Sequence, residues 1–487
     1  MAVKEELAGI VSWECVIDDP ETLGTYSKDL SFAKPVKPQV IVKPRSSDEV
    51  QAIINWANQT ATPMVPVSSG PPHFHGDTVP SVQGAVIVDL SGMKQVMRID
   101  RRNRVAMIEP GVTYHQLQPE LAREGLRLSM PLNPRINKSV VASLLEREPT
   151  LIPGQQWASL DPLRCTEIIW GDGQKLRTGD AGMWPSLEEA WKRKQAPSGA
   201  TGPGQADFYR FVSAAQGSMG IVTWASVKCE VFCELHRLFF VHAQRPDDLI
   251  DFTYQLLMFR YADEILILNN SSLAYILGNG TDRIKALVKE LPPWVVLVGI
   301  AGRSILPRER VEYQEKDITD IARRFGLELV TAIPGAKSNE VLEAVLNPSG
   351  EPYWKLGGKD GYQDILFMTT LNRTPEFIRV MNSVAEANGY PVSDIGVYIQ
   401  PRHQGANCHC EFILPFDRDN PKEAASMQQL LNRASEELLK QGAFFSRPYG
   451  IWADMAYQKD AQTTSVLKKV KEIFDPKNVM NPGKLCF

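Results

Sequence analysis

The stretch Pro66-Val67-Ser68-Ser69-Gly70-Pro71-Pro72-His73-Phe74-His75-Gly76 sets small residues beside two histidines on what reads as a tight loop. A pyrophosphate needs several backbone N–H donors at close range, and small residues supply them without steric cost. Ser68, Ser69 and Gly70 suit that task, and Gly76 closes the loop. The bland alternative is a surface turn between two strands. A second small-residue segment, Gly217-Ser218-Met219-Gly220-Ile221-Val222-Thr223, signals by itself only the start of a strand. No G-x-G-x-x-G follows a first strand, so a Rossmann dinucleotide site is not expected. Seven cysteines (15, 165, 229, 233, 408, 410 and 486) are odd in number and scattered, which is no disulfide framework. Cys229 and Cys233 are four apart, and Cys408-His409-Cys410 lacks the C-x-x-C spacing of a zinc site. Idle or buried thiols are the expectation.

The elements that must hold these residues alternate through the first 130 positions. Val40-Ile41-Val42 reads as a strand. Ser46 and Glu49 form a capping box before Val50, Ile53, Ile54 and Ala57, whose spacing is helical. Met64–Val67 is a strand running into the loop, followed by strands over Ala85–Leu90 and Val105–Glu109 and a helix over Tyr114–Glu124. Glu167–Trp170 and Lys175–Arg177 make a hairpin around an Asp-Gly turn. Pro197–Gln205, rich in Gly, Pro, Ser and Thr, reads as an ordered loop or a lid. Longer helices then take over, clearest at Asp247–Phe259, Asp282–Leu291 and Pro307–Phe325. Boundaries are expected near 235 and 445, with a terminal helix over Thr463–Ile473.

Composition bounds the rest. A chain of 487 residues, 43% hydrophobic and 23% charged, suits a globular enzyme of two or three domains. A net charge of −4 gives no case for nucleic acid. No run approaches the roughly 18 apolar residues of a membrane span. The start lacks an apolar secretory core, so cytoplasmic residence is the expectation. A subunit carried to the periplasm on a partner's signal would look the same.

Three segments in series resemble the vanillyl-alcohol oxidase / p-cresol methylhydroxylase family of flavoproteins. The first runs from Pro66 to Gly111 and on through Val112-Thr113-Tyr114. The second is Ser139–Arg147, continuing to Asp172-Gly173 and Leu176-Arg177-Thr178-Gly179. The third is Gly217–Thr223, with Phe474-Asp475-Pro476 to Asn481-Pro482-Gly483-Lys484 at the end. Residues 235–445 match only loosely. The resemblance implies an α+β fold: a PCMH-type FAD-binding domain over 1–235, a cap over 236–445, and a segment 446–487 completing the first. It implies FAD, held without a covalent bond or attached through His409 or Cys410. The implied reaction takes a hydride from a small aromatic or benzylic-alcohol-like substrate to flavin N5. Electrons then pass to oxygen or to a cytochrome or other electron-transfer partner. A dimer of like chains is also expected.

On the resemblance, Ser68, Ser69, Gly70, His73 and Gly76, with Gly217, Gly220, Ile221 and Lys484, hold the cofactor. Glu146 stands where the family has an acidic residue beside the flavin ring, as a base or a tuner of N5. In Glu146-Arg147-Glu148 it also reads as a solvated charge. Arg447 matches an arginine that stabilises a substrate phenolate. The tyrosine usually before it is Ser446 here, and a second phenolate tyrosine aligns with His75. His75 would bind an oxyanion, act as a base, or only cap the pocket. Arg402, in Gln400-Pro401-Arg402-His403, matches an arginine at the flavin N1 and O2 edge; an exposed arginine is the alternative. Strand alternation lets only one of His409 and Cys410 face the flavin. Asn133–Lys138 lacks the family's glycines, which implies a reshaped loop or weaker FAD binding. Two further readings stay open: a 2-hydroxyacid dehydrogenase subunit of the glycolate-oxidase kind, and a subunit that holds FAD without turning over substrate.

Overall fold

The computed structural model describes residues 2–154, 162–202 and 208–487. A first sheet has the strand order Val16–Ile17, Val40–Val42, Val86–Asp89, Met64–Val67. The last three pair in parallel, and parallel pairing needs a covering crossover. The helix Ser47–Thr60 supplies one, burying Val50, Ile53, Ile54 and Ala57. Ser46 caps that helix by accepting from the Glu49 amide at 3.2 Å. The Glu49 carboxylate accepts from the Arg45 amide instead of Ser46, so the second half of the expected capping box is displaced by one residue.

A second, antiparallel sheet runs Val96–Asp100, Val105–Ile108, Gly220–Lys228, Leu163–Trp170, Lys175–Arg177. The Asp-Gly hairpin is present, and its first strand starts at Leu163, earlier than its apolar run suggests. The chain's end returns to the first sheet. The Met64 amide donates to the Val479 carbonyl at 2.7 Å, and the Asn481 amide donates to the Met64 carbonyl at 2.7 Å. The strand before the loop is thereby held by the C-terminal segment on both sides of Met480. Pro197–Gly202 is a loop braced by Asp180, whose carboxylate accepts from the Ser198 and Gly199 amides at 3.3 and 2.9 Å. Residues 203–205 of the expected lid lie outside the described residues.

The third sheet has six strands, in the order Leu235–Ala243, Trp294–Gly302, Glu264–Asn269, Gly396–Arg402, Asn407–Phe416, Gly361–Thr369. Every pairing in it is antiparallel. One face is covered by the helices Asp247–Phe259, Pro307–Arg324, Thr374–Ala387 and Pro421–Lys440, around Phe252, Ile318, Phe377, Leu430 and Phe412. The other face packs Tyr362, Tyr398 and Ile413 against Phe74, Leu132 and Leu151. The loop Pro66–Gly76 therefore lies against this sheet. No helix among the described residues is long and apolar enough to cross a membrane.

Candidate active site

The loop, the Gly217 turn and the inner face of the six-stranded sheet line one cleft. Ser68, Ser69, His73 and His75 line one wall, and Gly217, Gly220 and Ile221 another. Among the described residues, the amides of Ser68, Ser69, His73 and His75 make no backbone hydrogen bond. They form a set of donors beside the cleft, the provision an anionic phosphate needs.

Gly70 and Gly76 behave differently. Their amides donate to the Asn137 carbonyl at 3.0 Å and to the Asp29 carboxylate at 2.6 Å. They shape the loop and do not supply donors to the cleft. Gly217 adopts a φ of +69°, and a Cβ there would lie 2.3 Å from Pro66 Cγ. At Gly220 it would lie 2.6 Å from the Ile169 carbonyl oxygen. Backbone approach, not flexibility, requires both glycines. Lys484 does not line the cleft; its Nζ donates to the Gly76 carbonyl at 2.7 Å and pins the end of the loop. Asn481 does the same for two segments, donating to the carbonyls of Gln216 at 2.6 Å and Asp77 at 3.0 Å. In Asn133–Lys138, side chains take over from the missing glycines. Arg135 donates to the Gly70 carbonyl at 3.1 Å and, like Lys138, lines the cleft.

Glu146 is no solvated surface charge. Lys138 Nζ lies 2.6 Å from Glu146 and 3.1 Å from Glu148, so one ammonium serves two carboxylates. Burial opposes ionisation of Glu148, but Lys138 and the Ser143 hydroxyl outweigh it and bring its pKa down to about 2. Glu146 is raised instead, by burial and by the charges of Glu148 and Asp77, against the pull of Lys138. The pair is thus divided, with Glu148 held as the carboxylate and Glu146 shifted towards its protonated form.

Arg447 is buried, 5% exposed, and lines the cleft. Among the described residues its guanidinium makes no hydrogen bond or ion pair. Arg402 does not line the cleft. It is half-buried behind Arg447, and burial, then the charges of Arg447 and Arg147, bring its pKa down to about 10. On Asn407–Phe416 the alternation settles the register. Cys408, Cys410 and Phe412 point into the helix-covered core, so Cys410 is corrected: it cannot face a flavin. His409 points the other way but stands behind Glu411, 2.9 Å from it, and does not line the cleft. Burial brings its pKa down to about 4.

Several cleft residues escape the sequence reading. Asp364 Oδ2 lies 3.3 Å from His75 Nε2 and 3.3 Å from Lys355 Nζ, and Lys355 also bonds Glu411. Tyr353, Tyr362, Tyr398 and Tyr449 complete the wall, with Tyr449 stacked on His75 at 4.5 Å. A signal for them exists in the polar residues spaced two apart within apolar strands, Tyr362/Asp364, Tyr398/Gln400 and His409/Glu411. Period two places each pair on one sheet face.

Comparison with known proteins agrees with this geometry. The family model for the FAD binding domain matches residues 38–146, and that for the C-terminal domain of FAD linked oxidases matches 274–485. D-2-hydroxyglutarate dehydrogenase of Stutzerimonas stutzeri is 22% identical, over 99% of this chain and 98% of its own. The 4-cresol dehydrogenase [hydroxylating] flavoprotein subunit of Pseudomonas putida is 22% identical, over 92% and 87%. Among solved structures, p-cresol methylhydroxylase with substrate bound superposes with a TM-score of 0.83 at 18% identity, covering 100% of this chain and 96% of that one. The residues present fit FAD. Unbonded amides at Ser68, Ser69 and His73, and glycines where a Cβ would strike backbone or Pro66, would hold its phosphates. The chain belongs to the FAD-linked oxidases with the p-cresol methylhydroxylase type of fold, and is an FAD-dependent oxidoreductase.

Proposed function

We propose that the protein takes a hydride from a benzylic or alcohol carbon of a small aromatic substrate whose anionic oxygen is held by Arg447. The observation that carries this reading is the unpartnered guanidinium in a cleft walled by aromatic rings. The carboxylates that feel its charge, Glu148 and Asp364, are already engaged by Lys138 and by His75 and Lys355. A buried cation without a bonded partner is costly, and an incoming phenolate or carboxylate supplies one. Phe74 packs 4.8 Å from Tyr362 and 5.9 Å from Tyr353, giving an aromatic ring a surface to lie against. FAD, when bound, supplies the hydride acceptor. Glu146 offers the cleft a carboxyl of raised pKa beside Lys138.

A second reading, oxidation of a 2-hydroxyacid, is favoured by the hydroxyacid-dehydrogenase relatives that align over nearly the whole chain. Loss of two phenolate-binding tyrosines at His75 and Ser446 points the same way, and Arg447 would then take the carboxylate. Anaerobic addition of p-cresol, 4-ethylphenol, D-lactate and D-2-hydroxyglutarate to the purified flavoprotein separates the two. Bleaching by the phenols supports the first reading; bleaching only by the hydroxyacids replaces it with the second. Electrons pass on to oxygen or to a cytochrome-like partner. The relative described as a flavoprotein subunit supports a partner, and reoxidation by air or by added cytochrome c distinguishes them.

A further inference from the structure

Five titratable side chains form a continuous run beside the cleft, with Asp364, Glu411 and His409 buried and His75 and Lys355 half-buried. His75 meets Asp364 at 3.3 Å, Asp364 meets Lys355 at 3.3 Å, Lys355 bonds Glu411, and Glu411 meets His409 at 2.9 Å. With His75 protonated and His409 neutral, two cations balance two carboxylates. With His75 neutral, the set by itself carries one net negative charge, and Asp364 is left with Lys355 and the longer-range charge of Arg447 to offset it. A proton arriving on His75 is therefore stabilised. The ring is also fixed for the task. Tyr449 stacks on it at an interplanar angle of 9°, Asp364 holds Nε2, and Nδ1 makes no hydrogen bond among the described residues. A cleft-lining imidazole held by a carboxylate through one nitrogen, with the other open, is the arrangement of a general base.

We propose that His75 accepts the substrate's O–H proton as the C–H hydride leaves, with Asp364 and Lys355 as the positioning residues. The proposal rests on the hydride-removing function above and serves either substrate class. In the balanced step the C–H bond breaks with its electron pair going to FAD. The O–H bond breaks with its proton going to His75 Nδ1. A carbonyl forms from an alcohol; an alkylphenol gives its O–H proton to His75 first, so that Arg447 holds the phenolate, and the departing hydride then leaves a quinone methide.

Groups from every side face His75: Asp364 from the sheet, Lys355 from the helical turn Trp354–Leu356 before it, Asp77 from its own loop, Glu146 beyond the helix Val140–Leu145, and Tyr449 and Arg447 from the segment before the helix Ile451–Tyr457. Burial opposes the charged ring, but Asp364, Asp77 and Glu146 together raise its pKa. The base must be neutral, so the rate of flavin reduction should rise with pH through that value.

The test is the pH profile of the limiting rate of flavin reduction, with p-cresol, or D-lactate if p-cresol does not bleach the wild-type flavin. His75→Gln should keep its FAD, lose the acid limb and slow by about 10²–10⁴-fold. Asp364→Asn should move the limb about one unit to lower pH and Lys355→Met should move it to higher pH. General loosening would not give opposite signs. The Cε1–H NMR signal of His75, identified by its absence in His75→Gln, should titrate with the same opposed shifts in the holoprotein. Should Lys355→Met fail to accumulate, Lys355→Arg must leave the limb in place. An unmoved acid limb in FAD-replete His75→Gln overturns the proposal, as do shifts of one sign in both positioning variants. A wild-type flavin that none of the four substrates bleaches overturns the parent function, and the proposal with it.

Discussion

Lys471 Nζ lies 2.5 Å from Asp475 Oδ2, a buried ion pair in the last 20 residues of the chain. The lysine also donates to the carbonyls of Ser218, at 2.5 Å, and Met480, at 3.0 Å. The aspartate accepts from the Val479 and Met480 amides at 2.9 and 2.8 Å. A Cβ on Gly171 would lie 2.5 Å from Asp475 Cβ, which is why glycine stands there. The pair fastens the terminal segment to the Gly217–Thr223 wall of the cleft. Asp475→Ala would leave Lys471 buried and unpaired, at a cost of about 3–5 kcal/mol. Chemical denaturation should show that loss, with FAD released at lower denaturant than in the wild type. A midpoint equal to wild type would dismiss this role.

Gly217→Ala tests the cradle itself. Its positive φ costs a side chain on the order of 1–3 kcal/mol, and the new methyl must displace Pro66 on the strand feeding the loop. FAD affinity, measured by fluorescence titration of apoprotein, should weaken roughly tenfold or more, since about 1.4 kcal/mol is a factor of ten. Gly84→Ala, also at a positive φ but with open space around it, should strain the backbone and leave FAD affinity alone. Equal losses in the two variants would assign the effect to strain alone.

How far the sequence reaches follows from what each signal encodes. Helix Asp247–Phe259 has the bounds its periodicity predicts. The loop after Met64–Val67 is legible from its small residues, and the family likeness from motifs along one domain. Gly70 and Gly76 look like donors in sequence because their type says nothing of who already holds their amides. Arg402 and His409 are in the right neighbourhood but one layer back, since a linear match cannot tell a wall from its backing. Cys410 falls by strand alternation, a rule available from sequence once the strand's register is known. Lys355, Asp364 and Glu411 lie 280 to 336 positions from His75 in the chain. Only the pairing of Gly361–Thr369 with Asn407–Phe416, and the packing of that face on the loop, bring them together.

The buried histidine behind the cleft predicts acid lability. His409 has a pKa of about 4 in the fold, against an ordinary value of 6.5. Below that ordinary value the unfolded chain binds the proton more readily, so stability is lost as pH falls from 6.5 towards 4. The loss is on the order of 3 kcal/mol. Glu148, at about 2 against 4.5, adds a second loss at lower pH. His409→Gln, which keeps a donor for Glu411, should flatten the fall in melting temperature between pH 6.5 and 4.5 and leave the lower limb. An unchanged upper limb would refute the assignment.

The most direct measurement of the central claim is anaerobic reduction of the flavin, followed by stopped flow against substrate concentration, in wild type and in Arg447→Ala and Arg447→Lys. If Arg447 holds the substrate's anionic oxygen, Arg447→Ala should keep its FAD and lose about 10²–10³-fold in the second-order rate of reduction. Arg447→Lys should fall between, because an ammonium restores the charge but not the two-pronged hydrogen bonding. An Arg447→Ala protein that is reduced as fast, and at the same substrate concentrations, as the wild type would contradict the account.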